Sequence, residues 1–316
     1  MCTALSFSEN QKYFGRNLDL HLSFNEEAII LPRNFSAVQN ELAILGIGTV
    51  KNGYPLFYDA MNEHGIAMAG LNFIGNARFH EAEESCFNIP QYALIPFILG
   101  KCKTLDDAKS VLSRCRILKD SFDNSTPPSE LHYFLTDGDR SLTAGPAENG
   151  IAVYENEVGV LTNNPPFPYH VNNLSNYINL TSDEPKNRFS DRLDLKRFSL
   201  GMGSIGLPGD YSSPSRFVRA AFVKFNSCIN EPKEELSQIF HILESVSQPY
   251  GAVKCFGSFE KTQYTSVANL NSKEYFYKTY ENSRICAIRL TEAQASENSL
   301  SRYPLKRTED VLFENV

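Results

Sequence analysis

The chain of 316 residues contains no tryptophan, so its large apolar side chains are 22 Phe and 15 Tyr. No stretch approaches the ~20 apolar residues that a membrane-spanning helix needs. The longest apolar patch, Tyr92-Ala93-Leu94-Ile95-Pro96-Phe97-Ile98-Leu99, is short and carries a proline. No basic segment followed by an apolar core opens the chain, so no secretory leader is expected. Cys-x-x-Cys and His-Glu-x-x-His spacings are both absent, which argues against a metal site. The seven cysteines (2, 86, 102, 115, 228, 255 and 286) are scattered singly. An odd, unpaired set argues against a disulfide framework and for a reducing cytoplasm. Net charge is −7 without a basic run, so neither a nucleic-acid partner nor a membrane surface is expected. Gly201-Met202-Gly203-Ser204-Ile205-Gly206 matches a dinucleotide fingerprint in letters only. Leu207-Pro208-Gly209-Asp210 follows it where a helix is required, so it reads as a loop.

What is present is an ordinary soluble composition, 42% hydrophobic and 21% charged, patterned in blocks. Residues 4–7 and 13–18 form a predicted hairpin around the polar break 8–12. Residues 28–31, 42–50 and 66–73 are further strand candidates. Two helices follow. Residues 90–100 run from proline to glycine. The second opens at Thr104 with a capping-box pattern closed by Asp107, and its apolar stripe is Ala108, Val111, Leu112 and Cys115. Strands resume at 131–136, 141–144, 151–154 and 159–162. The polar segment 172–196 lacks periodicity. Ser213, as N-cap before Pro214, starts a helix with Phe217, Ala220, Ala221 and Phe225 on its buried face. Residues 234–247 form another helix, strands cover 264–270, 274–280 and 285–290, and the polar stretch from about 296 reads as a loose tail. Segregated strand and helix blocks predict an α+β fold in layers.

Residue 2 carries the chemical signal. Removal of Met1 would leave Cys2 with a thiol nucleophile and an α-amine that titrates near ~7.7–8.0, a base within reach of its own nucleophile. Such a cysteine needs a cation to favour thiolate and donors to meet an oxyanion. In the predicted hairpin, Arg16 and Asp19 of Phe14-Gly15-Arg16-Asn17-Leu18-Asp19 fall beside the N-terminus. Taken alone, the two also read as turn residues of a surface ion pair.

Met1-Cys2-Thr3-Ala4 followed by Tyr13-Phe14-Gly15-Arg16-Asn17-Leu18-Asp19 resembles the choloylglycine hydrolase family, which holds bile salt hydrolases and penicillin V acylases. Pro32-Arg33-Asn34-Phe35, Asp59-Ala60-Met61-Asn62-Glu63-His64-Gly65 and Ala69-Gly70-Leu71-Asn72-Phe73 resemble further family blocks. So do Gly159-Val160-Leu161-Thr162-Asn163-Asn164-Pro165, Gly206-Leu207-Pro208-Gly209-Asp210, Ser215-Arg216-Phe217-Val218-Arg219-Ala220 and Thr279-Tyr280-Glu281-Asn282. The blocks keep their order over nearly the whole chain.

The resemblance implies a single domain over 2–316 with the four-layer αββα sandwich of N-terminal nucleophile hydrolases. It implies a bacterial, cytoplasmic homotetramer without metal or cofactor, acting on glycine- or taurine-conjugated bile acids through a thioester on Cys2. Penicillin V acylase, or another N-acyl amide hydrolase with the same catalytic residues, is the alternative. By matching positions Cys2 is the nucleophile, Arg16 and Asp19 activate the thiol and hold the amine, Asn72 and Asn163 serve the oxyanion, and Arg216 stabilises the site. Asn72 and Asn163 also read as turn residues at strand ends. Leu18, Phe24 and Phe122 are implied pocket residues, with ordinary core as their alternative. Asn72 favours bile salts, because some penicillin V acylases carry tyrosine there. Ser199-Leu200-Gly201 stands where several relatives have Ser-Arg-Gly, so Leu200 implies a preference for glycine conjugates. Phe97 and Tyr133 replace family tryptophans.

Overall fold

The computed structural model describes residues 1–255 and 257–315. The chain begins with β1 (Cys2–Ser8), β2 (Lys12–Leu20), β3 (Glu27–Leu31), β4 (Ile44–Lys51), β5 (Tyr54–Asn62), β6 (Ala67–Asn72) and β7 (Phe87–Pro90). Helices α1 (Leu94–Leu99) and α2 (Leu105–Leu112) follow, then β8 (Cys115–Leu118), β9 (Leu131–Thr136), β10 (Ser141–Ala147), β11 (Gly150–Glu155) and β12 (Val160–Leu161). Next come α3 (Phe167–Leu174), α4 (Ser213–Phe225) and α5 (Glu235–Glu244). The last elements are β13 (Val253–Cys255), β14 (Ser258–Asn269), β15 (Glu274–Thr279), β16 (Cys286–Arg289), α6 (Glu292–Ala295) and β17 (Ser301–Pro304).

Two sheets carry the molecule. The first has the order β12-β1-β2-β14-β15-β16, with β13 added to β14; the second runs β11-β10-β9-β6-β5-β4-β3-β17. Helices α4 and α5 pack on the first sheet, α1 and α2 on the second, and β1 touches β6 and β9 between them. The result is the expected αββα layering. Successive residues of β3 alternate between two apolar cores. Ala28 and Ile30 join the cluster shared with the first sheet and α5, while Ile29 and Leu31 join the cluster under α1 and α2. A sheet buried on both faces therefore reads as a continuous apolar run, not as an alternation.

The departures from the predicted elements have local causes. Strand β5 is not legible, because Pro55, Asp59 and Asn62 interrupt its apolar pattern; Asp59 and Asn62 are buried all the same. Helix α2 has the Thr104–Asp107 capping box, but Cys115 lies beyond its end and opens β8, which pairs in parallel with β7. The N-cap of α4 is Ser212 rather than Ser213, and Phe225 at the far end of that helix is exposed. Helix α3 lies partly in the segment read as aperiodic. The first part of the C-terminal stretch is paired: β17 is the edge strand beside β3, held also by the Arg302–Glu27 ion pair. Edge pairing uses backbone groups and needs no apolar alternation.

The short strand β12 delivers residues 162 and 163 beside β1. It starts from a turn in which Asn156 Oδ1 accepts from the Gly159 nitrogen at 2.8 Å. Gly159 has φ +61°, and a Cβ there would stand 2.3 Å from Lys224 Nζ and 2.5 Å from Ser6 Oγ, so a side chain at this position is strained and crowded where glycine is not. Helix α4 is anchored by Phe217, fully buried and stacked on His170 at 4.8 Å. Phe217→Ala is expected to cost about 3–5 kcal/mol, measured as a lowered urea midpoint with an unchanged slope.

Candidate active site

Cys2 opens β1 and is 2% exposed. In the β1–β2 ladder it lies opposite Leu18, with Ala4 opposite Arg16. Side chains two apart share a face, so Arg16 and Leu18 point with Cys2 into the space between the sheets. Arg16 Nη2 stands 3.3 Å from Cys2 Sγ and 2.9 Å from the Gly70 carbonyl, and Nη1 stands 3.0 Å from Asp59 Oδ1. Burial opposes the Arg16 charge, but Tyr264, Cys2 and Asp59 around it outweigh burial and raise its pKa.

Thr3, Asn17 and Asp19 belong to the opposite face, toward α4 and α5. Arg216, with no exposure, donates from Nη1 to the Cys2 carbonyl and to Thr3 Oγ1, both at 2.6 Å. Its Nη2 donates to Asn163 Oδ1 at 2.8 Å, and its Nε to the Tyr211 carbonyl at 3.0 Å. Asp19 Oδ1 accepts from Thr262 Oγ1 at 2.7 Å, and Oδ2 lies 4.0 Å from Arg216 Nη1. Burial raises the Asp19 pKa against the pull of the N-terminal ammonium, Arg216 and Thr262. The Met1 ammonium is held by the Asp19 carbonyl at 2.6 Å and Glu260 Oε2 at 3.0 Å. With Met1 in place the Cys2 nitrogen is an amide, and it donates to Asn163 Oδ1 at 2.8 Å.

Asn163 is fixed on every side. Its nitrogen donates to Ser213 Oγ at 2.8 Å, its carbonyl meets His170 Nε2 at 2.9 Å, and its Nδ2 donates to the Asn72 carbonyl at 2.7 Å. Nδ2 keeps a second hydrogen. Asn72 thus joins the cluster through its main chain. Beneath it, His132 Nε2 meets the Thr162 carbonyl at 2.7 Å, and the ring stacks on Phe73 at 4.3 Å.

The sequence-predicted residues therefore separate into two sets. Cys2, Arg16, Asp19, Asn72, Asn163 and Arg216 form one connected cluster, with Leu18 buried beside it. The other three pocket candidates lie on loops, and none is hydrogen-bonded to the cluster among the described residues. Phe24 is exposed in the β2–β3 connection. Phe122 packs on Tyr92 at 5.1 Å and Tyr54 at 5.6 Å, in a loop tied down by Lys51 through Asp123 and Thr126. Leu200 is 84% exposed in the irregular stretch before α4. Sequence reasoning gave no role at the site to Asp59, Ser213, Thr262, Glu260, His132 or His170. The available signal was a polar residue inside an otherwise apolar stretch, as at Asp59 in β5 and His132 in β9. Among the described residues no group of three or more His, Cys, Asp or Glu could hold a metal ion, and no helix is long and apolar enough to cross a membrane.

His132 generates a pH prediction. Burial pushes its pKa down to about 3, against ~6.5 in an unfolded chain. Below pH ~6.5 the unfolded state takes up a proton that the folded state refuses. The stability that neutral His132 contributes is complete above pH ~6.5 and is lost as pH falls toward 3, by up to about 1.4 kcal/mol per pH unit. Urea midpoints measured from pH 7.5 to 4 are expected to fall less steeply in His132→Gln than in the unmodified protein.

The sequence model of the linear amide C–N hydrolases, choloylglycine hydrolase family, matches residues 2–303. The chain is 40% identical to a bile salt hydrolase/transferase of Lactiplantibacillus plantarum over 97% of each protein. It is 34% identical to one of Clostridium perfringens over 98% of each. The crystal structure of a mutant conjugated bile acid hydrolase from Clostridium perfringens superposes with a TM-score of 0.92 at 32% identity, covering both chains completely. Penicillin V acylase from Agrobacterium tumefaciens shares the fold, with a TM-score of 0.71 at 18% identity over 96% of this chain and 90% of that one. The chain belongs to the choloylglycine hydrolase family of linear amide C–N hydrolases.

Proposed function

We propose that this enzyme hydrolyses the amide bond of glycine- or taurine-conjugated bile acids through a thioester on Cys2. The observation that carries the mechanism is the approach of Arg16 Nη2 to Cys2 Sγ at 3.3 Å, with Asn163 at 2.8 Å from the Cys2 nitrogen. Once Met1 is removed, that nitrogen becomes an amine and can take the thiol proton. Arg16 stabilises the resulting thiolate, which attacks the substrate carbonyl carbon. The oxyanion is met by the free hydrogen of Asn163 Nδ2 and by backbone donors near Asn72. The tetrahedral adduct collapses to the thioester as the C–N bond breaks, and the leaving amine takes its proton from the Cys2 ammonium. Water, deprotonated by the same amine, then attacks the thioester and frees the bile acid and the thiol. Arg216 fixes the main chain after Cys2 through the Cys2 carbonyl, and Asp19 is proposed to hold the freed amine, so the amine stays within reach of Sγ.

The names of the full-length relatives support the bile acid assignment. Leu18, Phe24 and the Phe122 loop are proposed to meet the steroid, and Leu200 to weaken binding of a sulfonate, which favours glycine conjugates. In the purified protein the intact mass is expected to lack Met1. Amine release should be faster from glycocholate and taurocholate than from penicillin V, and faster from glycocholate than from taurocholate. Cys2→Ser is expected to lower kcat by about 10³-fold or more with the fold retained. Faster penicillin V cleavage would move the protein to the acylase reading with the same residues.

Seven free cysteines fit the proposed cytoplasmic location. The irregular segment before α4 supports a homo-oligomer, expected to be a tetramer. Ile178, Phe189, Phe198 and Leu200 each project at 80% exposure or more, apolar side chains that an interface between subunits would cover. Light scattering of Phe189→Asp/Phe198→Asp is expected to give a smaller assembly than the unmodified protein, with unchanged circular dichroism.

A further inference from the structure

Asp59 is an unusual residue for the centre of a β-strand. It lies on β5 in the second sheet, with no exposed surface, and its carboxylate points across to the first sheet. An ion placed there is costly unless it is paired and its oxygens are all satisfied. Four donors meet it. Oδ1 accepts from Arg16 Nη1 at 3.0 Å and from the Tyr264 hydroxyl; Oδ2 accepts from Ser266 Oγ at 2.8 Å and from the Tyr275 hydroxyl. Burial and the adjacent Asp59 push both phenols well above the usual tyrosine range, so both remain donors.

The same guanidinium that meets Asp59 through Nη1 meets Cys2 Sγ and the Gly70 carbonyl through Nη2. A guanidinium is planar and rigid. Fixing one nitrogen on Asp59 and the other on Gly70 therefore fixes the plane from which Nη2 faces sulfur. Among the described residues Nε of Arg16 has no hydrogen-bond partner, so Asp59, Gly70 and Cys2 are the protein groups that orient the guanidinium. Asp59 itself has no surface through which to touch a substrate.

We infer that Asp59 is a positioning residue for the nucleophile, holding Arg16 in the orientation that directs Nη2 onto Cys2 Sγ. The inference rests on the proposed role of Cys2. It makes Cys2, Arg16 and Asp59 a relay of contacts in which the acid acts only through the arginine. The charged groups gathered around Cys2 are Arg16 and Asp19 on β2, Arg216 on α4, Glu260 on β14 and the chain's own amine. Of these, Arg16 is the one in contact with Sγ and with Asp59.

The test is the pH dependence of Cys2 alkylation by iodoacetamide, followed on the N-terminal peptide by mass spectrometry, together with kcat and KM. Asp59→Asn keeps the volume of the side chain. It is expected to move the alkylation profile up by about one pH unit, and to lower kcat about tenfold or more with KM changed by less than about threefold. In an Arg16→Leu background, Asp59→Asn is expected to add no further effect on either quantity. If Asp59 only braces the two sheets, Asp59→Asn lowers the melting temperature and leaves the alkylation profile in place, which overturns the inference. A profile moved to lower pH, or losses that multiply in the double variant, overturn it as well. Should Asp59→Asn fail to fold, Arg16→Lys decides: it keeps the charge but cannot fork between Asp59 and sulfur, so the same upward shift is expected, and an unmoved profile sinks the idea. Cys2→Ser run in parallel separates the two levels, since residual turnover there would refute the nucleophile and not merely its positioning.

Discussion

The assembly depends on the burial of Arg216. A guanidinium with no exposed surface must satisfy its hydrogens inside the protein, and here its closest carboxylate oxygen, Asp19 Oδ2, is 4.0 Å away. Neutral oxygens do the work: the carbonyls of Tyr211 and Cys2, Thr3 Oγ1 and Asn163 Oδ1. These belong to the loop before α4, to β1 and to the end of β12. One cation therefore holds together three parts of the chain that are remote in sequence, and they meet at residue 2. Burial lowers the Arg216 pKa, with Asp19, Cys2 and Glu260 acting in the other direction.

The first sheet separates two buried charge systems. Arg16 and Asp59 occupy the space between the sheets, where Cys2 Sγ points. Arg216 and Asp19 occupy the helical side, where Arg216 grips the Cys2 carbonyl and Thr3 Oγ1. Strand alternation forces this division, because Arg16 and Asp19 differ by an odd number of residues. The thiol and the peptide unit that carries it are thus held from opposite faces. Asn163 reaches this junction from the short strand β12, with Ser213 and His170 fixing its main chain and the Asn72 carbonyl its side-chain amide.

The sequence was most readable where function and local pattern agreed. The hairpin that aligns Cys2 with Leu18 could be read from two apolar runs and a polar break, and that pairing already placed Arg16 beside the N-terminus. Helix α2 was readable from its capping box. Asp59 was not, because a buried acid interrupts the apolar pattern that identifies a strand, and its four donors come from β2, β14 and β15. Ser213 was misread for a related reason: it stands at the helix start like a cap, yet its hydroxyl serves Thr162 and Asn163 while Ser212 does the capping. Phe24, Phe122 and Leu200 came from matched positions alone, and loops obey no periodicity that could have tested them.

Strand β1 is an interior strand, between β12 and β2, and β2 is in turn covered by β14. Thr262 on β14 meets Asp19 from 243 residues away along the chain. At residue 1 the Met1 nitrogen is held by the Asp19 carbonyl and by the carboxylate of Glu260, the latter also on β14. The proposed removal of Met1 would take this partner from both groups, and the main-chain oxygen of Asp19 on β2 and the Glu260 carboxylate on β14 would then stand free beside the new amine of Cys2.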